Sequence, residues 1–138
     1  MSNIKTAGVK WIDGRAFETF TGSGHRGIIE GADQKRGPSP MELLLVGLAG
    51  CTAIDVLDIL QKKRLNVNGL EVRVEGARAE TYPMVYTDIE VVYTVRGKDI
   101  PASAVEQAIQ LSEEKYCSAG VMLGKTAKIK HRYEIIAE

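Results

Sequence analysis

Cysteine is scarce in this chain, net charge is absent and no hydrophobic run is long, and each shortage removes a class of function. Two cysteines, Cys51 and Cys117, occur in 138 residues. In a reducing compartment a pair of this kind is seldom a structural disulfide; it is either buried filler or a reactive pair. Two histidines and two cysteines share no metal-ligand spacing, so the sequence predicts no zinc site. Eighteen basic residues balance eighteen acidic ones, which argues against a nucleic-acid partner, because phosphate binding needs a basic excess or patch. The one basic run, Lys125 to Arg132, alternates with apolar residues and reads as the solvated side of a strand. The longest uncharged stretch is Leu43 to Ile54, twelve residues, about half of the roughly 20 a membrane span needs. The first eleven residues have no apolar core of the signal-peptide kind. A cytoplasmic protein with no membrane partner is expected. Glycine-rich phosphate loops, internal repeats and low-complexity segments are also missing.

What is present predicts a single α+β domain over residues 1–138, with mainly antiparallel sheets. Asp13-Gly14 between Ala7–Trp11 and Ala16–Thr21 is a hairpin signal, and His25 to Glu30 suits a third strand. Leu70, Val72 and Val74 alternate with charged residues, and Val85 to Val95 is β-branched. Asp99 to Tyr116 carries Ala102, Val105, Ile109 and Ser112 at helical spacing, and Cys117 to Leu123 reads as a short helix closed by Gly124. Ala127, Ile129, His131, Tyr133 and Ile135 form one apolar face of a last strand, on which His131 reads as a satisfied core histidine.

The segment from Gly37 to Arg64, GPSPMELLLVGLAGCTAIDVLDILQKKR, organises the rest. Ser39, Pro40 and Glu42 spell a capping box with proline at the first helical position. The first half of this helix is apolar on every side and predicts burial all round. Gly47, Ala49, Gly50 and Ala53 would let another backbone approach, and a chain this short has trouble surrounding such a helix alone. A partner subunit is inferred.

Cys51 falls about three turns inside that helix, beyond useful reach of its dipole. As a nucleophile it would need a cation from elsewhere; Arg15, His25, Arg26, Lys35 and Arg36 lie just upstream. Cys117 opens its short helix, where the dipole favours a thiolate. On the residues alone Cys51 reads as a small buried side chain. Asp55 and Asp58 read as solvated or salt-bridged, and His25 as either a turn or a pocket residue.

The words SPMELLLVGLAGC-AIDVLDILQK and, about 65 residues after the first cysteine, LSEEKYCS resemble the OsmC/Ohr family (osmotically inducible protein C and organic hydroperoxide resistance protein), in particular its YhfA-type branch. The resemblance covers the whole chain. It implies an OsmC-like fold in which sheets wrap around long central helices of an intertwined homodimer. It implies thiol peroxidase chemistry with no cofactor: Cys51 as the peroxidatic cysteine, Cys117 as the resolving one. The substrate would be a small hydrophobic hydroperoxide, and a dithiol such as a dihydrolipoyl protein the reductant.

The family's thiolate is served by a glutamate directly after the helix-starting proline, paired with an arginine. Here Met41 follows Pro40, and Glu42 is displaced by one residue, about 100° around a helix. An ungapped count places the arginine position at Glu30, leaving Arg15, His25, Arg26, Arg36 and Glu42 as activating candidates. Two other readings stand beside peroxide reduction: a thiol or small-ligand-binding protein on the same scaffold, and an interaction module with inert cysteines.

Overall fold

The chain, described here from residue 3 to residue 138 of a computed structural model, divides into two compact units, one ending at Leu44 and one spanning Leu45–Glu138. The first holds a three-stranded antiparallel sheet in the order β1 (Ala7–Asp13), β2 (Ala16–Thr21), β3 (Arg26–Glu30). Asp13-Gly14 makes the first turn as expected: Gly14 has a φ of +50°, which glycine adopts without strain, and its carbonyl accepts from Trp11 Nε1 at 3.0 Å. The third strand begins one residue later than expected. His25 stays in the turn, its Nδ1 3.1 Å from Ser23 Oγ.

Helix α1 (Pro40–Lys62) begins in this unit with the expected capping box. The Ser39 amide donates to Glu42 Oε1 at 2.8 Å and the Glu42 amide to Ser39 Oγ at 3.2 Å. The expected burial on every side is not found. Leu48, Thr52, Val56 and Leu60, one stripe at a spacing of four, are buried, while Leu43, Leu44, Val46 and Ile54 are exposed. A helix lying against one set of neighbours buries one stripe, so a single chain leaves the other side open. By length and composition the whole helix could also cross a bilayer, a point that counting only its uncharged run overlooks. Its buried stripe nevertheless contains polar Thr52, bonded to a strand hydroxyl, as befits a core helix.

The second unit holds a sheet in the order β4 (Val67–Arg78), β5 (Tyr86–Gly97), β6 (Lys128–Ile136). The first pair is antiparallel and the second parallel. Parallel neighbours need a crossover, and here it consists of α2 (Ala102–Leu111), a π-helical turn (Ser112–Tyr116) and α3 (Ser118–Leu123). On β5 the alternation is clean: Val91, Tyr93 and Val95 are fully buried. With Ala104, Val105, Ala108 and Ile109 of α2, they form the core. Burying each valine contributes about 1.5–3 kcal/mol. The long helix expected to reach Tyr116 instead widens at Ser112, where the Cys117 amide donates to the Ser112 carbonyl, five residues back, at 2.8 Å.

Candidate functional site

The two cysteines meet. Cys51 projects from the middle of α1 and is half-buried; Cys117 is the N-cap of α3 and 2% exposed. Their sulfurs and a carboxylate oxygen of Asp55 all lie within 4.8 Å of one another, and both thiols are free. Asp55 follows Cys51 by four residues, so one face of the helix carries both. The π-helical turn delivers the second sulfur.

Cys117 does not behave as its place at a helix start suggests. Burial pushes its thiol up to about 11, and the Cys51 thiol beside it and the Asp55 carboxylate push the same way. The Gly120 amide, donating to its sulfur at 3.3 Å, opposes this but does not offset it. A helix of six residues ending in a half-exposed turn has little dipole to contribute.

Asp55, read from the sequence as solvated or salt-bridged, is in no ion pair among the described residues but is bonded to a core hydroxyl. It is half-buried. Its Oδ2 accepts from Ser112 Oγ at 3.0 Å. From there a chain of hydroxyls runs through the core. Ser112 Oγ lies 2.9 Å from Thr52 Oγ1, which lies 2.9 Å from the Tyr93 hydroxyl, which lies 2.9 Å from His131 Nδ1. His131 Nε2 stands 3.7 Å from Glu113 Oε1. Burial holds His131 below the ordinary imidazole value, with Glu113 opposing, and pushes Tyr93 up to about 12. His131 is thus the satisfied histidine expected, and it belongs to the same polar system as Asp55.

A cavity of about 300 Å³ adjoins this system, lined by Leu48, Thr52, Glu113, Cys117, Ile129 and His131 among others. It reaches the thiol pair through Cys117. Asp55 opens instead on a second groove with Asp58, Lys62 and Lys63.

The five activating candidates all belong to the unit ending at Leu44, and four are occupied there. Arg36 is clamped by two carboxylates, its Nη2 2.7 Å from Asp13 Oδ1 and 3.0 Å from Glu30 Oε2. The Arg36 hydrogen bonds hold Asp13 and Glu30 below the usual carboxylate range and raise the guanidinium further. Arg26 pairs with Glu18 at 2.9 Å, Glu42 caps α1 and His25 bonds Ser23. Arg15 takes part in none of the ion pairs among the described residues. The sequence reads Asp55 only as a solvated or salt-bridged charge and gives Thr52, Tyr93 and Ser112 no part in a site. Only the four-residue step from Cys51 to Asp55 was visible there.

A helix-borne thiol thus faces a second thiol carried by the crossover that precedes β6. Residues 31–132 match the family described as OsmC-like protein. The chain is 43% identical over 131 residues to Protein YhfA of Escherichia coli K12, covering 95% of this chain and 98% of that one. A solved protein of Aquifex aeolicus VF5, called hypothetical, superposes with a TM-score of 0.90 at 33% identity, covering 99% of both chains. The organic hydroperoxide resistance protein OhrB of Bacillus subtilis superposes with a TM-score of 0.68 at 14% identity, over 95% of this chain and 98% of its own, a likeness of fold alone. The chain belongs to the OsmC-like family.

Proposed function

We propose that the protein reduces organic hydroperoxides with its cysteine pair, in defence against oxidative stress. The observation that carries this is the approach of two free thiols to within 4.8 Å beside a largely apolar cavity, in a member of the OsmC-like family. The name of the Bacillus relative of the same fold points to the same chemistry.

Cys51, the more accessible thiol, attacks as thiolate on the distal peroxide oxygen. An S–O bond forms, the O–O bond breaks and the alkoxide leaves as alcohol after taking a proton, giving a sulfenic acid. Cys117, kept protonated by burial, waits as the resolving thiol. Its sulfur displaces the sulfenic hydroxide, its proton goes with that hydroxide as water, and the disulfide forms. A dithiol, such as a dihydrolipoyl protein, exchanges with the disulfide and restores both thiols.

The exposed stripe of α1 fits a second copy of this chain. Leu43, Val46 and Ile54 are apolar and uncovered, and a side chain at Gly47 or Gly50 would meet only open space. Another helix approaches most closely over such glycines. A homodimer with its two α1 stripes packed together is the arrangement this supports. The test is turnover of cumene hydroperoxide with a dithiol and its loss in Cys51→Ser; turnover equal to wild type in that variant refutes the proposal.

One observation favours a second reading, a thiol or small-ligand-binding protein on the same scaffold. The charged group beside the thiols within the Leu45–Glu138 unit is the Asp55 carboxylate, and a carboxylate disfavours a thiolate. Small hydrophobic electrophiles would then occupy the cavity without peroxide turnover.

A further inference from the structure

We propose that the reduced protein holds one thiophilic divalent cation, Zn²⁺ being the natural candidate, between Cys51 Sγ, Cys117 Sγ and the carboxylate of Asp55. This goes beyond peroxide reduction and does not depend on it.

Three ligand atoms of the right chemistry already converge, each within 4.8 Å of the others. In a tetrahedral zinc site, with Zn–S about 2.3 Å and Zn–O about 2.0–2.2 Å, neighbouring ligand atoms stand roughly 3.5–3.8 Å apart. Closing the site therefore asks for movements on the order of an ångström. Linear spacing hid it: two ligands come from one helix at a spacing of four, and the third from a turn 66 residues after the first.

Charge points the same way. With both sulfurs ionised, the cluster would bring three negative groups together. No lysine, arginine or histidine pairs with Asp55 among the described residues. A divalent cation displaces the two thiol protons and neutralises what remains.

The surroundings hold the ligands as metal sites require. Ser112 Oγ donates to Asp55 Oδ2 at 3.0 Å, leaving the other carboxylate oxygen for the ion, and Ser112 is itself fixed by Thr52. The Gly120 amide donates to Cys117 Sγ at 3.3 Å, a bond that a metal-bound thiolate strengthens. Cys117 opens on the 300 Å³ cavity, so a water can complete the tetrahedron. Three protein ligands with an open fourth position also leave room for exchange. Because the two sulfurs are the pair that would form a disulfide, oxidation removes two of the three ligands and expels the ion.

The experiment titrates the reduced, full-length protein with ZnCl₂ against a chromophoric chelator, and with CdCl₂ for the thiolate-to-cadmium absorption band. The expected result is one ion per chain, no site in Cys51→Ser or Cys117→Ser, and affinity about 10–100-fold weaker in Asp55→Asn. Oxidation with diamide, which takes two electrons and two protons from the thiols, abolishes uptake, and reduction restores it. Should a variant not fold, protection of the half-exposed wild-type Cys51 from iodoacetamide by Zn²⁺ reads the same site. Wild-type affinity in Asp55→Asn, an unchanged site without either cysteine, or no protection overturns the proposal. Zinc uptake without peroxide turnover sinks the enzymatic reading alone; turnover without uptake sinks this one alone.

Discussion

Thr52 on α1 and Tyr93 on β5, 41 residues apart in sequence, join hydroxyls at 2.9 Å in the core of the second unit. Each passes the contact on, Thr52 to Ser112 and Tyr93 to His131, so helix, turn and both strands share one polar thread. No buried side-chain oxygen or nitrogen among the described residues lacks a partner. Tyr93→Phe removes the middle of the thread and leaves Thr52 and His131 each one bond short. The expected loss is about 1–3 kcal/mol of unfolding free energy, because a buried polar group left unpaired costs its desolvation. Urea denaturation at neutral pH checks this, and an unchanged midpoint would show that the thread is ornamental.

Peroxide treatment should separate the two thiols. In Cys117→Ser, Cys51 accumulates as sulfenic acid that dimedone traps; in Cys51→Ser, neither adduct nor disulfide forms. Mass spectrometry of peptides reads both outcomes. An adduct on Cys117 in the second variant would exchange the two roles, and the cavity lining, which includes Cys117, makes that comparison worth running.

His131 predicts a pH dependence of stability. Its folded-state pKa is lowered by burial, with the facing Glu113 carboxylate opposing. Between the folded value and the unfolded value of about 6.5 the unfolded chain binds more protons, so unfolding free energy rises with pH across that window. The contribution is therefore complete above about pH 6.5 and is lost as the solution is acidified below it. Thermal melts across mildly acidic pH should show this slope, and His131→Gln should flatten it while leaving the carboxylate-driven loss at lower pH.

Arg36 and Arg15 make contrasting predictions. Arg36 is committed to Asp13 and Glu30, so Arg36→Met should lower the melting temperature, with Glu30 losing its principal partner, and leave peroxide turnover near wild type. Of the three arginines among the activating candidates, Arg15 alone lies outside every ion pair among the described residues, so it is the one left to test. Arg15→Met should lower kcat/KM with little change in melting temperature. The reverse pattern in the two variants would rule this assignment out.

The uncovered stripe of α1 predicts self-association. Val46 is 61% and Ile54 64% exposed, and they lie two turns apart on one side of the helix. Ile54→Asp should shift the protein from dimer to monomer by light scattering after gel filtration. An unshifted mass would place the partner elsewhere.

Local signals were legible where they needed no distant partner. Asp13-Gly14 announced its hairpin, Ser39 and Glu42 their capping box, and Leu70, Val72 and Val74 the inward face of β4. The π-helical turn was not, because Ser112 to Tyr116 has ordinary helix-forming residues and the widening depends on what the turn packs against. Asp55 looked like a surface charge because its partner, Ser112, stands 57 residues away. The family resemblance supplied the pairing of Cys51 with Cys117, which no local pattern in the chain contains.

The widened turn sets the angular phase of everything after it. An ordinary α-helical turn closes each bond over four residues; this one closes over five, from Cys117 back to Ser112. One residue is thus accommodated without lengthening the helix by a regular step, which is about 100° of rotation. Deleting one residue between Glu113 and Lys115 would let the helix run on regularly and carry the second sulfur round to another side. The packing of α2 against β5, which precedes the change, would stay while the thiols were parted.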